Sequence, residues 1–329
     1  MLNQKKILFF SPKFFGYEDS ILKKMESMGA EVVFFDERPF TSSYEKALLK
    51  VNPEIFAKKI ERYFTNIFEQ VKHIDFDYIF FLKCETPTVS VMEKFRSHFT
   101  SAKFCLYMWD SIKNVKNIEK KISYFDLVSS FDEKDSQENN FNFRPLFFSD
   151  IYRYPVDNEK NYIYDISSFG TIHSDRYKVI SQVENEAEKK HLKTYYFNFL
   201  QGKFMYYLYK ITKNEFKYAK LTDFSFEKKS GEEITKIIMD SRAVLDIQHP
   251  NQTGLTMRTI EMLGMNKKII TTNQSISNYD FYHQENISII DRNNVEIDLD
   301  FMKKPYKKIE DTIYEKYSLD QWVLDTLGV

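Results

Sequence analysis

The sequence predicts an α/β protein whose strands form parallel sheets, with two such units in one chain. Short apolar runs, such as residues 6–11 and 31–36, alternate with amphipathic segments of helical spacing. Residues 77–83 are apolar almost throughout, which is typical of a parallel strand covered on both faces. After an irregular passage at residues 143–161 the alternation starts again at Ile163, which indicates a second α/β unit.

The N-terminal half opens as a β-α-β unit, in which residues 18–28 form an amphipathic helix that Gly29 ends. A right-handed crossover then predicts a parallel sheet. The remaining elements of this half are strands at residues 77–83, 103–109 and 127–130 and helices at residues 44–72 and 86–98. The strand at residues 127–130 is predicted to close this half, and the helix at residues 44–72 to be interrupted near Pro53.

The C-terminal half repeats the alternation. Its predicted strands are residues 163–169, 194–199, 244–247, 269–272 and 286–290. Its predicted helices are residues 175–190, 230–241, a segment from residue 256, and 310–327. Residues 170–174 are predicted to form a turn between the first strand and helix of this half.

The composition restricts the function. The chain has 329 residues, enough for two domains, and is 43% hydrophobic, enough for a large core. Its formal net charge of −1 comes from interspersed lysines and acids, so no overall field attracts nucleic acid, although a local basic patch is left open. Cys84 and Cys105 are expected to be buried free thiols of a cytosolic protein, which excludes a cysteine metal site. The N-terminus lacks the features of a signal peptide, and no run is long enough to span a bilayer.

One stretch, residues 244–273, concentrates the chemistry. It reads as a strand, a polar loop at residues 248–253, a helix and a further strand. A helix N-terminus has free backbone N–H groups and a positive dipole end, so it attracts phosphate. Gly254 lets the backbone approach a ligand closely, and Thr256 adds a hydroxyl.

Two charged side chains follow at helical spacing. Arg258 lies in the first turn, where it opposes the dipole unless an anion is bound, and Glu261 lies about one turn further on. A carboxylate at that place can accept hydrogen bonds from two vicinal hydroxyls, as on a ribose. The pattern favours a nucleoside-diphosphate site at the carboxyl end of a parallel strand. The alternative is an ordinary β-α-β turn with Arg258 and Glu261 in a surface salt bridge.

The segment Gly254-Leu-Thr-Met-Arg-Thr-Ile-Glu261, with Lys-Lys-Ile-Ile-Thr-Thr-Asn273 after it, resembles the donor-site segment of GT-B glycosyltransferases. The resemblance is greatest to the CgeB-like, glycosyltransferase family 1-like group of bacterial surface-polysaccharide gene sets, which carries a Gly-x-x-x-Arg-x-x-Glu turn here. Larger retaining families carry a second Glu near the start of this loop. Thr253 or a neighbour holds that place in this chain, so the stereochemical outcome stays open.

The resemblance implies a GT-B fold, in which two Rossmann-like domains with parallel sheets face each other across a cleft. Residues 1–150 would form the acceptor-binding domain and residues 151–309 the nucleotide-sugar-binding domain. Residues 310–329 would form a terminal helix that crosses back to the N-terminal domain, where Trp322 is a suitable anchor.

The resemblance also implies an activity. The protein would be a metal-independent glycosyltransferase that moves a sugar from a nucleotide sugar to a saccharide or lipid-linked acceptor in capsule, lipopolysaccharide or exopolysaccharide synthesis. No cofactor, metal or nucleic acid is expected besides the nucleotide-sugar donor. The expected location is the cytoplasm, and a peripheral contact with the inner face of the cytoplasmic membrane is left open.

The donor-site residues follow from the matched positions. Residues 169–176 resemble the first turn of the donor domain, where a glycine admits the diphosphate and a basic residue contacts it. His249 is expected to touch the sugar or nucleotide, or else to be a loop residue held by Pro250, and Asn273 is expected to face the sugar. The full set is Gly170, Arg176, His249, Gly254, Leu255, Thr256, Arg258, Glu261 and Asn273.

Asp110 is the candidate catalytic base of the N-terminal half. It follows a buried strand at the carboxyl end, and Trp109 beside it would desolvate it and make it a stronger base. The resembling group often has an Asp-Ser pair here, as in Asp110-Ser111. The alternative is that Asp110 caps a helix that begins near Ile112.

Aromatic residues are the candidates for the acceptor side. Phe14 and Tyr17, with Phe15 between them, lie in the loop after the first strand and would stack on a sugar or lipid, although simple packing is favoured. Residues 204–209 are also aromatic and are predicted to pack a helix or to bind the acceptor.

Two Asp-x-Asp pairs match the metal signature of the other large glycosyltransferase fold. Asp75 and Asp77 precede their strand, at the end away from the expected site, and Asp298 and Asp300 lie in a late loop. Both pairs are therefore interpreted as solvated turns. Without a metal, Arg and Lys side chains and a helix N-terminus would have to neutralise the leaving diphosphate.

Two other functions are compatible with this sequence. One is a different enzyme of the same architecture, such as a nucleotide-sugar epimerase or a DNA-modifying glucosyltransferase, although the near-neutral charge argues against DNA. The other is a non-catalytic nucleotide-sugar-binding subunit of a polysaccharide assembly complex, in which Asp110→Asn would change nothing measurable.

Overall fold

The computed structural model describes residues 2–14, 16–40, 56–250 and 254–329. Phe15, residues 44–55 of the helix predicted at 44–72, and Thr253 lie outside the described residues. The chain divides into two compact units. Unit 1 contains Met1–Phe147 and Glu315–Val329, and unit 2 contains Phe148–Tyr314.

Unit 1 contains a six-stranded sheet in which every neighbouring pair is parallel. Its strands are β1 Lys6–Ser11, β2 Glu31–Asp36, β3 Tyr78–Leu82, β4 Lys103–Met108, β5 Leu127–Ser130 and β6 Asn142–Phe143. The strand order is β2-β1-β3-β4-β5-β6. The sequence prediction that β5 closes this half is wrong, because β6 adds a sixth strand that is two residues long and too short to give a recognisable pattern.

Helices cover the sheet of unit 1, and an aromatic core lies beneath them. They are α1 Tyr17–Ser27, α2 Ala57–Val71, α3 Val89–His98 and α4 Glu133–Asn139. Phe10 on β1 stacks on Phe81 on β3 at 4.5 Å and meets Phe64 on α2 at 5.7 Å between ring centroids. This packing fixes the carboxyl ends of β1 and β3, between which the strand order of the sheet reverses.

Unit 2 contains a five-stranded parallel sheet of order β11-β10-β9-β7-β8. Its strands are β7 Tyr164–Thr171, β8 Thr194–Phe199, β9 Ser241–Asp246, β10 Lys268–Thr271 and β11 Ile287–Ile289. The strand order reverses between β7 and β9, which is the point where open α/β sheets bind ligands. The prediction of a turn at residues 170–174 is wrong for Gly170 and Thr171, because both residues extend β7 and pair with β8.

The helices of unit 2 alternate with its strands. They are α5 Arg176–Lys189, α6 Lys203–Thr212, α7 Gly231–Met239, α8 Met257–Gly264 and α9 Leu299–Lys303. Among the described helices of both units, none is long and apolar enough to cross a membrane.

The C-terminal residues form two helices instead of the single helix predicted at 310–327. These are α10 Asp311–Lys316 and α11 Leu319–Leu327. The break occurs because Ser318 takes an extended conformation and caps α11, accepting the Gln321 N–H at 3.2 Å. In unit 1, the fully buried Trp322 on α11 packs on Tyr107 at 4.7 Å and Phe147 at 4.8 Å between ring centroids.

Candidate functional site

Hydroxyl groups tie the start of α8 to the end of β9. Thr256 is the N-cap residue, and its Oγ1 accepts the Thr259 N–H at 3.2 Å. The Thr256 hydroxyl also donates to the Asp246 carboxylate at 2.9 Å, and the Thr259 hydroxyl donates to the same oxygen. Asp246 therefore fixes the position at which α8 begins.

Arg258 and Glu261 connect α8 to β7. Arg258 Nη1 donates to the Phe169 carbonyl oxygen at 3.0 Å, and its guanidinium lies 3.6 Å from the centroid of the Phe169 ring. Arg258 Nε lies 3.6 Å from Glu261 Oε2. The pair is not a surface salt bridge, because the Glu261 side chain is only 5% exposed.

Tyr152 is a further partner of Glu261. A side-chain hydrogen bond joins the two residues, and burial followed by the charge of Glu261 raises the pKa of Tyr152. The Tyr152 phenol is therefore neutral at pH 7 and donates a hydrogen bond to the Glu261 side chain. The Glu261 side chain is thus placed between Tyr152 and Arg258.

Arg176 joins the carboxyl ends of β7 and β9, where the strand order reverses. Its Nη1 donates to the Thr171 carbonyl oxygen at 2.9 Å and its Nη2 to the Ile247 carbonyl oxygen at 2.7 Å. Gly170 beside it has a φ of +151°, and a Cβ added there would lie 2.9 Å from Arg176 Nη1. The absence of a side chain at Gly170 leaves space for the Arg176 guanidinium group.

The two arginines influence each other electrostatically. Burial lowers the pKa of Arg176, the Asp246 carboxylate opposes this, and the positive charge of Arg258 lowers the pKa again. Both guanidinium groups are held by backbone carbonyls at the end of β7 or β9. An anion bound here would relieve the repulsion between them, which makes the switch point of unit 2 a candidate anion site.

The two histidines near this edge lie together. The His249 and His173 rings are stacked, with centroids 6.0 Å apart and an angle of 28° between the planes. His249 is exposed. Burial, followed by the charge of Arg176, lowers the pKa of His173 to about 4, so this ring is neutral at pH 7.

The other predicted donor residues line the same edge of the sheet. Gly254 and Leu255 are buried and lead into α8. Asn273 is also buried, and its side chain caps the following 3₁₀ turn by accepting the Ser275 N–H at 3.0 Å. The Asn273 side-chain oxygen thus accepts a hydrogen bond from the turn that begins at this residue.

Arg292 completes the carboxyl edge of unit 2. It follows β11, and its Nη1 lies 2.9 Å from Asp175 Oδ2 at the start of α5. Its Nη2 donates to Thr272 Oγ1 at 3.2 Å and to the Gln248 carbonyl oxygen at 3.4 Å. Arg292 therefore links the ends of β9 and β10 to α5.

Asp110 of unit 1 is an exposed ion-pair partner. Its carboxylate lies 2.8 Å from Lys83 Nζ, and its side chain is 43% exposed. The alternative role as a helix cap is wrong, because residues Ile112–Asn114 form only a short 3₁₀ turn and the Ile112 N–H donates to Asp135 at 2.8 Å. Asp110 is therefore open to solvent at the carboxyl end of β4.

The turn after β3 positions Lys83 against this carboxylate. Lys83 and Cys84 have φ values of 80° and 52°, a left-handed conformation that is uncommon for residues other than glycine. The buried Lys121 stabilises the turn by donating to the Cys84 and Pro87 carbonyl oxygens. Burial is the largest single influence and lowers the pKa of Lys83, but the nearby carboxylates, Asp110 first and then Glu85, together raise it, so Lys83 stays charged.

Glu37 lies fully buried behind this turn, directly after β2. Its Oε1 accepts the Glu85 N–H at 3.2 Å, and within the part of the chain that the structure describes its Oε2 has no hydrogen-bond partner. Burial, followed by the charge of Glu85, raises the pKa of Glu37 to about 8. Glu37 therefore carries a proton at pH 7.

The candidate acceptor residues pack together beside Asp110. The rings of Phe14 and Tyr17 lie 5.0 Å and 5.5 Å from the ring of Trp109. Both residues are half-buried, so they contribute to packing and still present part of their surface.

The Asp-x-Asp pairs have structural partners. Asp77 accepts from Lys5 Nζ at 2.7 Å and from the Lys6 N–H at 2.9 Å, at the amino end of β3. Asp298 caps α9 by accepting the Asp300 N–H at 2.8 Å. The interpretation of the second pair as a loop is wrong, because Asp298 is the N-cap of α9 and Asp300 lies within that helix.

Comparison with known proteins gives a fold but no family. No protein-family model and no curated protein sequence matches the chain. Among solved structures, Alr3699/HepE of Anabaena in complex with UDP-glucose aligns with a TM-score of 0.61 at 11% identity, over 98% of this chain and 99% of that one. The catalytic domain of starch synthase IV of Arabidopsis thaliana, bound to ADP and acarbose, aligns with a TM-score of 0.54 at 9% identity, over 99% and 100% of the chains. The lipopolysaccharide outer core galactosyltransferase WaaB aligns with a TM-score of 0.51 at 13% identity, over 97% and 99%.

The fold is GT-B. Within it, several residues of the two carboxyl edges were not predicted from the sequence. Glu37, Lys83 and Asp246 each end or directly follow an apolar strand, and Arg292 lies three residues after β11. A charged residue at such a place is a signal that would have found them. Tyr152 has no such signal, because its contact with Glu261 bridges more than a hundred residues of chain.

Proposed function

We propose that the protein is a GT-B glycosyltransferase that transfers a sugar from a nucleotide sugar to a saccharide or lipid-linked acceptor. The observation that carries this proposal is the pair of guanidinium groups, Arg176 and Arg258, held at the strand ends where the sheet of unit 2 reverses. Further support comes from the GT-B neighbours, of which Alr3699/HepE was solved with UDP-glucose.

In this proposal unit 2 binds the donor. Arg176, Arg258 and the N-terminal N–H groups of α8 neutralise the diphosphate as it leaves, so that no metal ion is required. Glu261 accepts hydrogen bonds from the ribose hydroxyls, since a carboxylate can accept from two vicinal hydroxyl groups. Gly254 and Leu255 bring the backbone to the ligand, and His249 and Asn273 contact the donor from the neighbouring loops.

Unit 1 binds the acceptor in this proposal. Asp110 removes the proton from the attacking hydroxyl, and Lys83 orients its carboxylate. Phe14 and Tyr17 provide the aromatic surface for the acceptor. The pathway is the assembly of a bacterial surface polysaccharide, and WaaB, described as a lipopolysaccharide outer core galactosyltransferase, is a neighbour of this kind.

The test is the release of nucleoside diphosphate from UDP-, ADP- and GDP-sugars, with and without a mixture of saccharide acceptors. We expect release from one nucleotide class, an unchanged rate in EDTA, and a rate lower by about 100-fold or more in Arg258→Ala, because a lost charge donor costs about that much. Arg242→Ala is the matched control, since this arginine lies at the amino end of β9. A rate that Asp110→Asn leaves unchanged would contradict the catalytic proposal and favour a binding subunit.

A further inference from the structure

Helix α6 exposes a stripe of apolar side chains. Phe204, Tyr207, Leu208 and Ile211 are 75%, 56%, 39% and 85% exposed. They recur at positions i, i+3, i+4 and i+7, so they form one continuous face of the helix. Large apolar side chains grouped in this way are unusual on a monomer surface and mark an interaction site.

The opposite face of α6 is firmly packed. Met205, Tyr206 and Tyr209 belong to the core of unit 2 or pack against it, and the Tyr206 hydroxyl donates to the Ala219 carbonyl oxygen at 2.9 Å. The exposed stripe therefore does not result from a loosely attached helix. It is the outer face of an anchored one.

The segment that contains the exposed stripe is rich in lysine. Residues 203–220 contain five lysines and one acid, Glu215, which gives the segment a formal charge of +4 in a chain whose net charge is −1. Tyr218 is 84% exposed, and Lys217 Nζ lies 5.5 Å from the centroid of its ring. Lys210 and Lys213 donate to backbone carbonyl oxygens, whereas Lys203, Lys217 and Lys220 are exposed. The segment therefore combines exposed aromatic and aliphatic side chains with exposed lysines.

We propose that the exposed side chains of this segment bind the surface of an anionic lipid bilayer. They are Phe204, Tyr207, Leu208, Ile211 and Tyr218, with Lys203, Lys217 and Lys220. Lysine is depleted in protein–protein interfaces, whereas helices that lie in a bilayer interface combine lysines with Phe, Leu and Tyr. The apolar side chains enter the headgroup region, and the lysines contact the anionic lipids. This inference goes beyond the proposed function and does not require nucleotide binding.

The bilayer would lie beside the candidate donor edge of unit 2. Lys213, directly after α6, donates to the Ser174 carbonyl oxygen at 2.8 Å, two residues before Arg176. The membrane surface and the anion site would therefore be neighbours. Such an arrangement suits an acceptor that is attached to lipid.

The experiment is co-sedimentation of the full chain with phosphatidylcholine vesicles that contain or lack phosphatidylglycerol. We expect binding only to the phosphatidylglycerol vesicles, and weaker binding in high salt. The double variant Phe204→Ser with Ile211→Ser is expected to weaken binding by roughly tenfold or more, because two exposed apolar side chains are removed. The matched control is Ile151→Ser with Ile163→Ser, two exposed isoleucines of unit 2 outside this surface, which should bind like the wild type.

A second variant tests the charges independently. Changing Lys203, Lys217 and Lys220 to Glu should abolish the preference for phosphatidylglycerol and leave the apolar stripe intact. The proposal is overturned if the wild type ignores both vesicle types, or if the serine and glutamate variants bind as well as it does. It is also overturned if sedimentation velocity finds a dimer that Phe204→Ser with Ile211→Ser dissociates, while no vesicles bind. None of these outcomes depends on nucleotide binding, so failure here leaves the proposed function standing.

Discussion

Gly170 has to satisfy two requirements, a positive φ and room for the Arg176 guanidinium. We expect Gly170→Ala to lower the free energy of unfolding by about 1–3 kcal/mol, because the new Cβ would need the strained conformation and would displace Arg176. Urea unfolding followed by circular dichroism measures this loss. The control is Gly202→Ala, where φ is extended at 172° and no described atom lies within 4 Å of the added Cβ. Equal losses in the two variants would contradict the role given to Gly170.

Glu37 makes a pH-dependent contribution to the stability of the fold. Its folded pKa of about 8 lies above its ordinary value of 4.5, so the folded state holds a proton that the unfolded chain releases. The resulting stabilisation is fully present below pH 4.5 and is lost as the pH rises through about 8.

We therefore predict that Glu37→Gln gains stability relative to the wild type as the pH rises from 5 to 8, by up to about 1 kcal/mol per pH unit. Urea unfolding at several pH values measures this difference, and Glu31→Gln on the exposed end of β2 is the control. A difference between Glu37→Gln and the wild type that does not change with pH would show that Glu37 titrates normally.

Sequence reasoning found Arg176, Arg258 and Glu261 at the edge of unit 2, but it did not find Asp246 or Arg292. Arg258 and Glu261 stand at helical spacing, so local pattern was sufficient to pair them. Arg292 and Asp175 are far apart in sequence, and their ion pair depends on β11 and β7 lying in one sheet. Such contacts follow from topology, which a single sequence does not specify.

At the scale of elements, the Thr256 hydroxyl group caps the start of α8. We expect Thr256→Ala to lower the free energy of unfolding by about 1–2 kcal/mol, because it removes the N-cap and one of the donors to Asp246. Thr256→Ser keeps the hydroxyl and should lose much less. Chemical denaturation compares the two variants, and a serine variant as unstable as the alanine variant would contradict the capping role.

The periodicity of apolar residues predicted most of the elements. β1, β2, β5 and β8 have the bounds expected from the sequence, because each is a short run between polar residues. The terminal helix was predicted as one element because its apolar spacing continues across Ser318, while the cap at Ser318 divides it. β6 was not predicted, because a strand of two residues is too short to show an alternation of apolar and polar residues.

At the scale of the whole molecule, residues 315–329 complete unit 1. We expect Trp322→Ala to destabilise unit 1 by about 3–5 kcal/mol, because it removes a fully buried indole. Trp109, the other tryptophan, also lies in unit 1, so its fluorescence reports the unfolding of that unit. Leu324→Ala on the less buried side of α11 is the control, and an unchanged transition in Trp322→Ala would mean that α11 is dispensable.

The α/β class and the presence of two parallel sheets were predicted from the sequence and are confirmed by the structure. The prediction succeeded because parallel strands buried on both faces, such as β3 and β4, leave continuous apolar runs. The strand order of each sheet was not predicted, since it depends on contacts between elements that are distant in the chain.

The central claim is that unit 2 binds a nucleoside diphosphate through Arg176 and Arg258. The most direct measurement is thermal unfolding with a panel of nucleoside diphosphates and nucleotide sugars, on the wild type, Arg258→Ala, Glu261→Ala and the control Arg242→Ala. We predict that one nucleotide class stabilises the wild type and the control by about 2.7 kcal/mol at a hundredfold excess over Kd, and that both site variants lose this response. If no nucleotide stabilises the wild type, or if the site variants respond as it does, the edge of unit 2 is only a β-α-β turn and the glycosyltransferase proposal fails.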